Sequence, residues 1–154
     1  MLRDPLTGLG NRRRFDLLLD RIDSRRLGAP LVLLLVDVDH FKAINDAYSH
    51  SVGDRALREV ARILRDHCRA EDVPVRYAGD EFTVFLRGDL QVGREVAERI
   101  RAAVARSDII PGVRLTVSVG LATLTPDMTG DALFRAADDR LYAAKFSGRN
   151  TIAF

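Results

Sequence analysis

The sequence predicts an α+β domain, a ferredoxin-like, palm-type βαββαβ core sheet flanked by helices. Three observations point to it. The unbroken apolar run Leu31 to Val36 reads as a strand buried on both faces. Two alternating segments meet at Ala78-Gly79-Asp80-Glu81, the pattern of a β-hairpin. Segments of helical period separate these strands from one another and from a later alternating run that ends at Leu121.

Taken in order, Asn11 to Ser24 places Phe15, Leu18, Leu19 and Ile22 at helical spacing. The buried strand follows at Leu31 to Val36, then a short helix over Phe41 to Tyr48. A longer helix, Val52 to His67, lines up Leu57, Val60, Ala61 and Leu64 on one stripe. Val73, Val75 and Tyr77 give the first hairpin strand, and Phe82, Val84 and Leu86 the second. Val92, Val96, Ile100 and Val104 recur at helical steps. Val113, Leu115, Val117, Val119 and Leu121 alternate as a strand. Leu133, Ala137, Leu141 and Ala144 mark a last long helix, and Thr151 to Phe154 supplies a short edge strand.

Residues 1–154 fit a single domain, long enough to bury a substantial core. The net charge of +2 gives no case for nucleic acid or a membrane surface as partner. Cys68 is the only cysteine, so no internal disulfide can form, which suits a reducing, cytoplasmic setting. The longest apolar run is far short of the ~20 residues that span a bilayer. The N-terminus lacks the apolar stretch of a signal peptide.

Asp37-Val38-Asp39 follows directly on the buried strand, and residues two apart in a strand share a face. Carboxylates there are costly unless solvated or paired with a cation. If the hairpin is a neighbour, Asp37 and Asp80 converge, and paired carboxylates with phosphate oxygens are a usual Mg²⁺ environment. Two such ions can activate a hydroxyl and stabilise a leaving oxygen. Each acid alone also has a plainer reading: Asp39 suits the N-cap of the helix from Phe41.

Arg76-Tyr77-Ala78-Gly79-Asp80-Glu81-Phe82 closely resembles the signature of the GGDEF family of diguanylate cyclases. Further segments resemble family motifs in order and at family spacing. They are Asp4 to Arg13, Asp37 to Lys42 with Asn45-Asp46, His50 to Asp54, Ser118 to Gly120, Leu141 to Lys145, and Gly148 to Asn150. The resemblance implies that Asp37, Asp80 and the Val38 carbonyl hold Mg²⁺, with Mn²⁺ as the alternative ion, and that Glu81 assists beside the 3′-hydroxyl. It implies that Asn45 and Asp54 read guanine. Asp54 can accept from N1–H and the exocyclic amine, a pair that adenine lacks. Lys42, Lys145 and Arg149 would neutralise phosphates, with backbone N–H groups near His40 and Phe41 adding an anion nest. Gly79 would serve the turn by positive φ, or bring the backbone close to a phosphate, or both.

The chain departs from the family pattern at Ala78, where the first signature glycine is absent, and at Ser49 before His50. Ala78 is harmless if its dihedrals are those of a strand and straining if they are not. Arg69-Ala70-Glu71-Asp72 matches in spacing and offset the family's product-inhibition site. Arg69 would grip guanine or phosphate of cyclic di-GMP, and Asp72 a base edge. The three histidines lack zinc-type spacing. Arg12, Arg13 and Arg14 read as solvated helix charges, while Asn11 and Arg13 are placed to tie the N-terminal turn to the domain.

The activity implied is condensation of two GTP into cyclic di-GMP across a transient homodimer, with product feedback and an upstream sensor in a longer chain. Two other classes compete: a receptor that binds GTP or cyclic di-GMP without turnover, and a dimerisation domain that binds nothing.

Overall fold

A computed structural model describes residues 1–154. The elements are α1 (Arg12–Asp23), β1 (Leu31–Val38), α2 (Phe41–Ala47), α3 (His50–Asp66), β2 (Val73–Ala78), β3 (Glu81–Arg87), α4 (Leu90–Arg106), β4 (Val117–Thr123), α5 (Gly130–Phe146) and β5 (Ile152–Ala153). The five strands lie in the order β2-β3-β1-β4-β5. All neighbours are antiparallel except β4 and β5. The expected βαββαβ core is therefore present, with β3 inserted between β1 and β2.

Strand β1 is central, and every one of its residues is buried. Its even positions Val32, Leu34, Val36 and Val38 pack with Leu57, Val60 and Leu64 of α3 and Val96 and Ile100 of α4. Its odd positions Leu31, Leu33 and Leu35 pack with Phe15 and Ile22 of α1 and Leu133, Ala137 and Leu141 of α5. The period-2 geometry of one strand thus sorts the helices into two layers. Cutting one of these β1 leucines to alanine would cost about 2–5 kcal/mol.

Helix α5 presses hardest on the sheet at Gly120. A β-carbon there would stand 2.2 Å from Leu141 N and 2.4 Å from Ala137 O, so only glycine fits. That approach fixes the height of α5 over β4 and hence the place of Lys145, one turn beyond Leu141.

Three boundaries differ from the sequence reading. β1 runs on through Asp37 and Val38, because both still pair with β4. β4 begins at Val117 rather than Val113, since Val117 faces Val38 and β1 ends there; Leu115 is buried without being in a strand. α3 begins at His50, two residues early, because Ser49 caps it: its Oγ accepts from Val52 N at 3.2 Å. Ser49 is thus a good N-cap.

Candidate functional site at the end of strand β1

Asp37 faces Glu81 across β1–β3 and Ser118 across β1–β4. Being odd-numbered, it lies on the α1/α5 face of the sheet. Lys145 reaches down from α5 and pairs with Asp37 Oδ2. The other oxygen, Asp37 Oδ1, is buried and has no hydrogen-bond partner. Asp80 comes alongside because Val38 N donates to its carbonyl at 3.1 Å, which docks the hairpin turn on the end of β1. Burial first, partly offset by Lys145 and reinforced by Asp80, pushes the Asp37 carboxyl up to about 7. Burial and then Asp80 push Glu81 up as well. Burial, the largest single influence, lowers Lys145, but its bond to Asp37 and the charges of Asp37, Glu81 and Asp80 together outweigh it and raise it.

Glu81 is the first residue of β3, and Gly79 and Asp80 form the two-residue connection from β2. Ala78 pairs with Glu81 as an ordinary strand residue, and the register slips between Arg76 and Ala78. Neither Ala78 nor Gly79 has positive φ. Gly79 is therefore not needed for a left-handed turn. A β-carbon on it would meet nothing within 4 Å, which leaves its outer side open for close approach.

On the other side of β1, His40 adopts the left-handed conformation, φ 54° and ψ 33°, and starts α2 without a side-chain cap. Asp39 is not the N-cap. Its carboxylate is turned inward, accepting from Thr116 Oγ1 and Ser118 Oγ at 2.7 Å each and from Asn150 N at 3.0 Å. It ties the C-terminal turn to β4. Phe41 packs toward Gly53 of α3, and Asn45 Oδ1 is buried there without a partner. Asp54 follows, half-buried. Lys42 and Arg149 are exposed at the rim. Arg149 has positive φ, and its N–H closes α5 onto Ala144 O at 3.1 Å.

The structure thus gathers Asp37, Asp80, Glu81 and Lys145 on one side of the β1 end, and Asn45 and Asp54 on the other. No three acidic, histidine or cysteine side chains converge as a metal cage. A divalent cation would rely on Asp37 Oδ1, Asp80, a backbone carbonyl and ligand oxygens. The unpartnered buried oxygen of Asp37 suits that set, and open coordination completed by phosphate is what Mg²⁺ favours.

Arg69 and Asp72 lie on the loop between α3 and β2, at the opposite end of β2 from the Gly79-Asp80 turn. Asp72 is buried and accepts from Arg69 N at 2.8 Å and Arg87 N at 2.9 Å, so both oxygens pin the loop onto the end of β3. Arg69 is exposed, bonded to the Arg87 carbonyl and paired loosely with Glu71 at 3.4 Å.

Sequence reasoning left Arg76 unassigned. It donates through Nε to Gly79 O at 3.1 Å and pairs through Nη1 with Asp4 at 3.3 Å. Asp4 in turn accepts from Thr7 N and Oγ1 at 2.9 and 2.7 Å. The Asp4-to-Arg13 motif therefore braces the acidic hairpin. Asn11 caps α1, accepting from Arg14 N at 3.0 Å, and donates to Met1 O.

The family model described as "Diguanylate cyclase, GGDEF domain" matches residues 1–151. Diguanylate cyclase DgcP of Pseudomonas aeruginosa is 40% identical over 157 residues, covering 98% of this chain and 23% of its own length. Response regulator PleD of Caulobacter vibrioides is 41% identical over 158 residues, covering 97% of this chain and 35% of its own. The chain therefore spans about a quarter to a third of these curated relatives. Among solved structures, the GGDEF domain of DgcB from Caulobacter crescentus, in complex with c-di-GMP, superposes with a TM-score of 0.90 at 34% identity, covering 99% of this chain and 94% of that one.

Proposed function

The chain belongs to the GGDEF family of diguanylate cyclase domains, and from that premise we propose that it condenses two GTP into cyclic di-GMP. The observation that carries the reading is a pair of buried, unpartnered oxygens, Asp37 Oδ1 and Asn45 Oδ1, one on either side of the end of β1. Both await a ligand, the first a cation and the second a hydrogen-bond donor.

In this reading Asn45 and Asp54 hold the guanine edge. Mismatched bases are rejected because they leave such groups unpaired. Lys42, Lys145 and Arg149, with the backbone at His40, Phe41 and Gly79, take the phosphate chain. Asp37, Asp80 and the Val38 carbonyl hold Mg²⁺ or Mn²⁺, which when bound supplies charge neutralisation at the phosphates. Glu81 lies beside this group, where the 3′-hydroxyl of the nucleotide comes to rest.

Each domain presents one GTP. Two domains face each other so that each 3′-oxygen forms a bond to the partner nucleotide's α-phosphorus. The bond from that phosphorus to pyrophosphate breaks, and the 3′-hydroxyl proton leaves to solvent. Two such events close the ring and release two pyrophosphates. The protein's part is positioning and neutralisation. Cyclic di-GMP would be held for feedback at Arg69. Asp72 can join only by giving up its bonds to the Arg69 and Arg87 N–H groups. The much greater length of DgcP and PleD is consistent with a sensor or regulatory domain elsewhere in a longer protein, acting in the cytoplasm where GTP is supplied.

The test is product formation from GTP and Mg²⁺, read by chromatography and mass, on the domain fused to a coiled-coil dimeriser beside Asp80→Ala. Cyclic di-GMP that vanishes in the variant is the expected result. A folded, dimeric sample that binds GTP yet yields none would make the domain a receptor instead.

A further inference from the structure

Three buried side-chain atoms of the fold lack a hydrogen-bond partner: Asp37 Oδ1, Asn45 Oδ1 and Thr83 Oγ1. The first two belong to the proposed site, and the third has no part in it so far. Thr83 stands inside β3, 1% exposed, between Leu35 of β1 on one side and Val75 of β2 on the other. Its odd position puts it on the α1/α5 face, which Leu35, Val75, Phe85 and Phe15 make apolar. Valine has nearly the same shape, suits a strand as well and has no hydroxyl to desolvate. An unpaired hydroxyl here weakens the free domain and gives nothing back within it.

The same face carries Asp37. Asp37 pairs with Glu81 and Leu35 with Thr83, so Asp37 and Thr83 are diagonal neighbours across β1–β3. Such neighbours have α-carbons about 7–8 Å apart and β-carbons closer, a span that a hydroxyl and a carboxylate turned toward each other close with one hydrogen bond. On the other flank of β1 the hydroxyls of Thr116 and Ser118 are both spent on Asp39, at 2.7 Å each. Thr83 is therefore the hydroxyl left for Asp37. Glu81 has less need of it, being only part-buried, whereas Asp37 Oδ1 is sealed from water. Lys145 holds the other oxygen, Oδ2. Carboxylates that ligate a metal are themselves held by hydrogen bonds that fix their orientation. We infer that Thr83 is a positioning residue for the cation site: its Oγ1 donates to the Asp37 carboxylate as Lys145 passes to the phosphate chain, so that Asp37 keeps its bearing on the cation. The inference rests on the reading of Asp37 as a cation ligand.

The experiment compares wild type, Thr83→Val and Thr83→Ser, each as the whole chain. Thermal melts are run with chelator and without nucleotide. Mn²⁺ affinity is then read from the electron paramagnetic resonance of the free ion, beside a GTP analogue with a methylene between its α- and β-phosphorus, which cannot lose pyrophosphate. Thr83→Val should melt as high as wild type or about 2–4 °C higher, yet bind Mn²⁺ about 10–100-fold more weakly. Thr83→Ser, which keeps the hydroxyl, should recover most of that affinity. Equal Mn²⁺ affinity in Thr83→Val and wild type overturns the inference and leaves the cation site standing. A loss in Thr83→Ser as large as in Thr83→Val traces the effect to the methyl group and overturns it too. So does a Thr83→Val melt well below wild type, which would place the bond of the hydroxyl inside the free fold. No Mn²⁺ binding to wild type with the analogue would remove the cation site itself, and the inference with it.

Discussion

A β-carbon at position 53 would stand 1.8 Å from Asn45 Oδ1. Gly53 lies inside α3, where alanine would ordinarily stabilise a helix by about 1 kcal/mol. Its absence of a side chain is what admits the Asn45 amide between α2 and α3. Gly53→Ala should therefore displace Asn45. GTP affinity, measured by calorimetry, should fall at least tenfold even if the melting temperature is unchanged or higher. Unaltered GTP binding in this variant would remove Asn45 from the base-reading role.

Asp39 is a structural acid. Asp39→Ala leaves the hydroxyls of Thr116 and Ser118 and the N–H of Asn150 without their acceptor. The expected loss in urea unfolding is about 2–4 kcal/mol. Arg149 and Asn150, both in the left-handed region, should lose definition first, visible as faster amide exchange there than in β1.

Asp4 gives a pH dependence of known sign. Burial raises its carboxyl, but the bonds from Thr7 and Arg76 outweigh that and hold it below its usual 3.8. A group depressed by folding contributes its stability fully above the unfolded value and loses it as pH falls through the folded one. Asp4→Asn should cost about 1–2 kcal/mol at neutral pH. The gap between variant and wild type should close below pH about 4. A gap that persists unchanged at pH 3 would show that the loss is steric rather than ionic.

Ala78 restores to glycine without benefit. It is exposed, paired in β2 and free of positive φ. Ala78→Gly should leave turnover within twofold and cost about 0.5–1 kcal/mol through greater freedom of the unfolded chain. A large gain in cyclic di-GMP formation would mean that the methyl obstructs the ligand.

Much of the fold was legible because burial writes itself into period. The run at Leu31 to Val36 announced the central strand, and the stripe Leu57, Val60, Leu64 announced the helix above it. The strand's last residues were hidden by chemistry: Asp37 breaks the apolar run although its backbone pairing continues. Val113 and Leu115 misled in the opposite way, alternating without a partner to pair with. At the site, motif order located the acids, Lys145 and Asn45. It set Asp37 apart from Asp39 but read Asp39 as a helix cap, because the groups that hold Asp39, on Thr116, Ser118 and Asn150, all lie far along the chain. The bonds of Asp72 to Arg87 and of Arg76 to Asp4 were invisible for the same reason. Each joins a loop residue to a strand residue distant in sequence, and the residue types suit many partners.

The brace from Asp4 through Arg76 to Gly79 has a mechanical meaning. Arg76 N also donates to Gly10 O at 2.8 Å, and Gly10 N to Pro74 O at 3.1 Å, so the N-terminal segment is stitched at Gly10 to the outer edge of β2. The stitching ends at the turn that carries Asp80. The N-terminal segment and the acidic turn are therefore tied to the same edge strand, β2, through Arg76. The connection between the amino end and Asp80 thus runs along the rim of the sheet, outside the core packed on the two faces of β1.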